Sequence, residues 1–280
     1  MDVGISTRRP GEVTRAMAEG LSRHGFSPVP LANEALASLR FAVFHGLERG
    51  EDAMRQQLEA RGIPWLVIDL GYLGDRSHHY QVGWGRLGWM PSGMMPTHRF
   101  CRLGISIVSD RDSQGEWMIL GQVADDNQHR MSDVRLRAVY ASIVDRIRAG
   151  EPGARIVFRG HPSAPQNLVK GLDVSFQIGG EVALTDALKY ARACVTVNST
   201  AYYEAAAAGV PVVCDKGAHY APVCATFDCT GEDPISFPTL RSAAEKAPQF
   251  IKASCAQWTC AEMRSGIALD TLMRFCPGAE

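Results

Sequence analysis

Residues 195–213 read VTVNSTAYYEAAAAGVPVV. An apolar run from Cys194 to Val197 stops at Asn198, Ser199 and Thr200. Residues of this kind open helices, because their side chains accept hydrogen bonds from the orphan N–H groups of a first turn. The alanine-rich segment 201–208 is predicted to be that helix, Gly209 its stop signal, and Val210 to Cys214 a further buried strand. Strand, helix, strand at this spacing is the unit from which parallel sheets are built.

The same alternation extends outward. Upstream, strands are predicted at 117–123, 154–158 and 173–177, with helices at 134–149 and 182–191, the first carrying Val139, Ile143 and Ile147 on one stripe. Further back, Val13, Met17 and Leu21 mark one face of a helix over 11–24, with Gly25 after it. Strands follow at 39–45 and 64–69, separated by a helix over 51–60 with Met54 and Leu58 inward. Residues 71–99, rich in Gly, His and aromatic residues, show neither period and read as a long loop, a kind that is usually functional. From Thr239 to Phe275 the pattern is helical. The expected class is α/β, with two Rossmann-like halves facing a cleft and C-terminal helices packing across both. The expected division is 1–112, 113–240 and 241–280.

At 280 residues, 46% hydrophobic and a formal charge of -1, the chain fits a soluble globular protein with a real core. No run is apolar over the roughly 20 residues of a membrane span, and the first residues lack a secretory apolar stretch, so a cytoplasmic location is expected. Eight irregularly spaced cysteines then read as reduced thiols. Cys224 with Cys229 and Cys255 with Cys260 are spaced more widely than usual zinc pairs, and no metal site is expected. The neutral balance argues against a broad basic face for nucleic acid, though not against a local groove.

In open parallel sheets ligands bind beyond the carboxyl ends of strands, and three loops there carry chemistry. In NST-x-x-x-E, Ser199 and Thr200 stand at a helix start that attracts phosphate, and Glu204 lies one turn on, placed for a ribose or sugar hydroxyl. A capped core helix with Glu204 merely solvated reads equally well. In RGHP, Arg159 and His161 suit a phosphate, with Pro162 fixing the turn; an exposed loop histidine is the plainer alternative. In GQVADDNQ, Gln122 and Asp126 are polar groups beside Gly121, or part of an ordinary turn. All three follow strands of one half.

Together these elements resemble the donor-binding half of GT-B glycosyltransferases, and among them the capsule-polysaccharide and Kdo-transferase type. The resemblance spans most of residues 116–215. It implies a nucleotide or phosphate role for Gln122, Asp126, Arg159, His161, Ser199 and Thr200, with Glu204 on the ribose or sugar. One departure is RGHP in place of the more frequent R-P-H-P form, with Gly160 expected to loosen the turn. The segments IDLGYLGDRSHHYQVGW and AQWTCAEMRSG also resemble proteins of tailed phages. Similar phage enzymes glycosylate modified bases, which implies a hydroxymethylated pyrimidine in DNA as acceptor.

The expected activity is therefore sugar transfer from a UDP- or CMP-linked donor to a hydroxyl, with no cofactor and no metal. Positive groups of the second half meet the charge on the leaving phosphate. An inverting reaction needs a base, and Asp69, Asp75 and His78, at or after the end of a buried strand, are the candidates. Tyr72, Tyr80, Trp84 and Trp89 are placed to stack on a sugar or an extruded base, or else to pack the loop on the sheet. Arg76, Arg86, Arg99 and Arg102 make the region locally basic and favour DNA. Two alternatives stand: a CMP-Kdo or CMP-sialic-acid polysaccharide transferase, and a non-catalytic nucleotide-binding protein of the same fold. A Rossmann oxidoreductase is disfavoured, since no G-x-G-x-x-G follows a predicted strand.

Overall fold

The computed structural model describes residues 1–164, 166–218, 221 and 224–277, the side chains of residues 166 and 167 excepted. The chain forms two compact units, Met1–Gly104 with Ile251–Glu280, and Ile105–Phe250.

In chain order, unit 1 begins with β1 (Asp2–Ile5), α1 (Glu12–Arg23), β2 (Ser27–Pro30), β3 (Leu39–His45), α2 (Asp52–Ala60), β4 (Trp65–Leu70), β5 (Tyr80–Trp84) and α3 (His98–Arg102). Unit 2 follows with β6 (Glu116–Leu120), α4 (Asp133–Gly150), β7 (Ile156–Arg159), β8 (Ser175–Gln177), α5 (Leu184–Ala187), β9 (Ala191–Thr196), α6 (Ala201–Ala207), β10 (Val212–Asp215) and β11 (Ala225–Phe227). Helix α7 (Ala243–Cys255) leads back into unit 1, which ends with β12 (Gln257–Trp258), α8 (Cys260–Ser265) and α9 (Ile267–Leu272).

Unit 2 holds a six-stranded parallel sheet in the order β11-β10-β9-β6-β7-β8. Numbered from β6 this is the doubly wound order 3-2-1-4-5-6, so the chain reverses direction between β6 and β9. Its core lies under α4, whose Leu136, Tyr140, Ile143 and Ile147 are fully buried against Trp117, Ile119 and Phe158 of β6 and β7. An eighteen-residue helix with this stripe buries enough apolar area to fix its side of the sheet.

Unit 1 holds a second sheet in the order β12-β5-β4-β3-β1-β2, parallel from β2 to β4 and antiparallel at β5 and β12. Met17 and Leu21 of α1 pack on Phe41 and Val43 of β3, together with Met263 and Leu269 from the C-terminal helices. Gly20 makes this possible: a Cβ there would lie 2.0 Å from the Met263 carbonyl oxygen, so α1 and α8 touch backbone to backbone.

The architecture is α/β, as the sequence implies, with local differences. β1 and β2 carry no sequence signal strong enough to be read: each is four residues long, and β2 (SPVP) holds two prolines, tolerated because it is an edge strand. The stretch 71–99 is not one loop. It contains β5 and the start of α3, and Tyr72 and Trp84 are 3% and 4% exposed, so these rings pack the sheet rather than wait for a stacking partner. Trp89 likewise packs edge-on against Phe275. The helix expected over 182–191 shrinks to α5 and one tighter turn, Leu188–Tyr190, and β9 begins three residues earlier than expected. The C-terminal helical run is interrupted by β12, and Gly266, at φ 90°, ends α8.

Candidate functional site

The carboxyl ends of β9, β6 and β7 stand side by side on one edge of the unit 2 sheet, and each continues into one of the three turns singled out above. The Gly121 N–H donates to the Arg159 carbonyl at 2.8 Å, which ties the turn after β6 to the end of β7.

On the other side the tie is made by Gln122, which is 8% exposed. Its Nε2 donates to Asn198 Oδ1, and its Oε1 accepts from the Asn198 backbone N–H at 2.9 Å. Its own N–H donates to the Tyr140 hydroxyl at 2.8 Å, and burial pushes that phenol well above its ordinary range, so it stays neutral. The pair spans β6 and β9, the two strands between which the chain reverses.

Ser199 and Thr200 are half-buried at the start of α6. Among the described residues the Thr200 side chain makes no capping bond, contrary to the expectation that it helps close the first turn, whereas Ser199 Oγ accepts a long contact from the Ala201 N–H at 3.4 Å. Thr196 Oγ1 instead accepts from the Ser199 N–H at 3.1 Å and shapes the turn. Glu204 is exposed one turn along.

Arg159 is 8% exposed and its guanidinium donates to Gln177 Oε1 at 2.7 Å and to the Val182 carbonyl at 2.6 Å. Burial lowers its affinity for the proton and the nearby Glu204 carboxylate raises it, which places these two side chains within electrostatic reach. His161 is half-buried; its Nδ1 accepts from the Ser163 N–H at 3.1 Å, which leaves Nε2 as the donor. The turn is not loosened by Gly160, whose N–H donates to the Gln177 carbonyl at 2.9 Å. Gly179 lies directly beneath it: a Cβ there would sit 2.0 Å from the Gly160 oxygen. The two strand-end loops are in backbone contact, and only glycine permits it.

Asp126 is exposed; its Oδ1 accepts from the Gln128 N–H at 2.8 Å within its own turn. That turn is braced by His129, which the sequence reading passed over. Its Nδ1 accepts from the Met131 N–H at 3.1 Å, so Nε2 donates to the Val123 carbonyl at 2.9 Å. Burial lowers the His129 pKa, against the pull of Asp126, and favours this neutral form. Asn198, read only as a helix-opening residue, is the other omission; a buried amide partner 76 residues distant leaves no periodic signal.

The proposed bases lie in unit 1. Asp69 is half-buried near the end of β4, and its Oδ1 accepts from the Leu70 N–H at 2.8 Å. Asp75 and His78 form a pair, Nδ1 to Oδ2 2.8 Å, exposed after β4. Ser77, through its hydroxyl and its N–H, and then His78 hold the Asp75 carboxyl down at about 2. With Nδ1 engaged by the carboxylate, His78 Nε2 is directed outward.

Among the described residues no group of three or more His, Cys, Asp or Glu is gathered to hold a metal ion, and no helix is long and apolar enough to cross a membrane. Among the described residues none of the eight cysteines is joined in a disulfide.

No protein-family model and no curated protein matches the chain. Solved structures do. The beta Kdo 2,4 transferase of Thermosulfurimonas dismutans KpsC matches with a TM-score of 0.57 at 17% identity, over 90% of each chain. The beta Kdo 2,7 transferase of the same KpsC matches with a TM-score of 0.53 at 13% identity, over 96% of this chain and 99% of that one. At such identities the likeness is one of fold. The chain is an α/β protein with two Rossmann-like halves, resembling the GT-B glycosyltransferases.

Proposed function

We propose that the chain is a glycosyltransferase that takes a nucleotide-activated sugar, UDP- or CMP-linked, at the carboxyl edge of β9, β6 and β7. One observation carries the proposal: the three turns selected from sequence stand next to one another at the reversal point of a doubly wound sheet, where such sheets receive nucleotides. The fold shared with two structures named as Kdo transferases supports it.

In this reading the N–H groups at the Ser199–Thr200 turn and His161 Nε2 meet the donor phosphates, while Glu204 takes a ribose or sugar hydroxyl. Gln122 acts chiefly through Asn198, holding the turn that carries Ser199. Arg159 contributes field rather than direct contact, since its guanidinium is bonded to Gln177 and Val182. Asp126 is the outermost member. Developing charge on the leaving phosphate is then met by fixed donors, and the transfer proceeds without a metal.

The base is assigned to unit 1. His78, with Nδ1 oriented by Asp75, has the arrangement of a general base whose second nitrogen is available; Asp69 is the alternative. Asp75 itself, held at about 2, is too weak a base and serves to position His78. For the acceptor the first candidate is a hydroxymethylated pyrimidine in DNA, favoured by the exposed Arg86 and Arg102. The competing acceptor is a polysaccharide end served from a CMP-linked donor.

Thermal shift with UDP, CMP and their sugars, followed by transfer of labelled sugar to hydroxymethylated duplex DNA or to oligosaccharide, tests this. Stabilisation by one nucleotide class, lost in His161→Ala and Ser199→Ala, is the expected result. A chain that none of these nucleotides stabilises is not this enzyme. Binding without transfer or donor hydrolysis indicates a non-catalytic nucleotide-binding protein.

A further inference from the structure

Unit 1 contains a second site of its own. Its sheet follows the order 2-1-3-4 from β2 to β4, so the chain reverses between β1 and β3, and in this topology ligands enter at that crevice. A cavity of about 310 Å³ opens there, bounded by Ser6, Thr7 and Arg8 after β1 and by Glu51 and Gln57 around the start of α2. That volume lies in the range of small-ligand sites.

The polar groups are arranged rather than scattered. Ser6 and Glu51 are 5% and 6% exposed, and Ser6 Oγ donates to Glu51 Oε1. Glu51 is backed by Arg55, Oε2 to Nη1 3.9 Å, and Arg55 in turn donates to Asp52 and to the Glu48 carbonyl. The Arg8 N–H donates to Ser6 Oγ at 3.3 Å, so the loop after β1 is tied to this buried network. Its guanidinium lies over Gly50, where a Cβ would come within 2.6 Å of Nη1. Arg8 has no side-chain hydrogen bond or ion pair among the described residues, while the neighbouring Arg9 is paired with Glu48 at 2.9 Å. Asn33 and Gln57 supply neutral amides around the same space, with Leu31 and Met54 as apolar wall.

We propose that this cavity binds a hydroxylated ligand carrying one anionic group, the anion on the Arg8 guanidinium and the hydroxyls on Thr7, Asn33 and Gln57. An unpaired guanidinium accepts carboxylate or phosphate in its planar fork, and short amides and hydroxyls serve a polyol. A sugar acid and a sugar phosphate share this chemistry. The proposal concerns unit 1 alone and stands whether or not unit 2 takes a nucleotide sugar.

Isothermal titration of the full chain with glucuronate, glucose 6-phosphate, glucose and inorganic phosphate tests it. Glucuronate or glucose 6-phosphate is expected to bind, whichever it is naming the anion, and glucose and phosphate more weakly by about tenfold or more. Arg8→Gln is expected to abolish that preference over glucose, and Gly50→Val to weaken binding by displacing the guanidinium. Both residues are exposed, and a circular dichroism spectrum confirms that the variants fold. The proposal is overturned if none of the four binds, if glucose binds as well as its anionic relatives, or if Arg8→Gln leaves the affinities unchanged. Titration of UDP and CMP against Arg8→Gln separates the two readings, since their binding belongs to unit 2 and is expected to persist.

Discussion

Gln122 uses both ends of its amide on Asn198, donating to the side-chain oxygen and accepting from the backbone N–H at 2.9 Å. One buried side chain thereby joins the ends of β6 and β9.

Gln122→Ala and Asn198→Ala are each expected to destabilise by about 1 kcal/mol, and the double variant by less than the sum, since both remove the same bonds. Urea unfolding of the four proteins measures this. Strict additivity would show that the two side chains act independently.

Gly179→Ala places a methyl group where the Gly160 carbonyl now lies. Overpacking of this kind costs about 1–3 kcal/mol and moves the turn bearing His161. Nucleotide affinity is expected to fall in step, whereas Gly153→Ala, where a Cβ meets nothing within 4 Å, leaves both unchanged.

These two contacts show why the site was legible only in part. The turns were found because a strand end followed by NST, RGHP or GQVADDNQ is a local pattern, and adjacency followed from the alternation of strands and helices. What holds them in register is non-local: Gln122 to Asn198, Gly160 to Gly179, Arg159 to Gln177. No periodicity marks such pairs, and nothing in RGHP reveals that the Arg159 guanidinium is bonded to Gln177 and Val182. The same limit hid β1, β5 and β12, short strands that gain their stability from neighbours far along the chain.

His129 is held neutral by burial, so its folded pKa lies below the ordinary value near 6.5. The neutral form is the one that braces the turn. Its contribution is therefore complete above that ordinary value, begins to be lost as pH falls through it, and levels off below the depressed folded value. Comparing stability with pH for the natural chain and His129→Gln checks this: the difference between the two curves should shrink on acidification, and a difference constant with pH contradicts the assignment.

Lys246, 2% exposed, pairs with Asp110 at 2.6 Å and donates to the Ala206 carbonyl. Lys246→Met strands a buried carboxylate and is expected to cost about 3–5 kcal/mol. Adding Asp110→Asn removes the charge while keeping the acceptor for the Arg241 N–H, and should recover part of the loss in a denaturant titration.

Arg99 lies 3.9 Å from the centre of the Trp258 ring and pairs with Glu262 at 2.7 Å. Arg99→Ala is expected to cost about 3 kcal/mol. Burial raises the Glu262 pKa, but the bonds from Arg99 and Thr259 outweigh it and the folded value ends below normal. Stability from this pair is thus present above the ordinary carboxylate range and lost as pH falls through the folded value, so acid unfolding of Arg99→Ala should begin at higher pH.

The strand Gln257–Trp258 has a consequence for synthesis on the ribosome. It covers the open side of β5, and the α8 backbone seats on Gly20, yet both are translated after all 146 residues from 105 to 250. At about 5–20 residues per second the nascent first half waits roughly seven to thirty seconds with one flank uncapped. Its opposite flank is guarded meanwhile by Pro28 and Pro30, which offer no N–H to a passing chain.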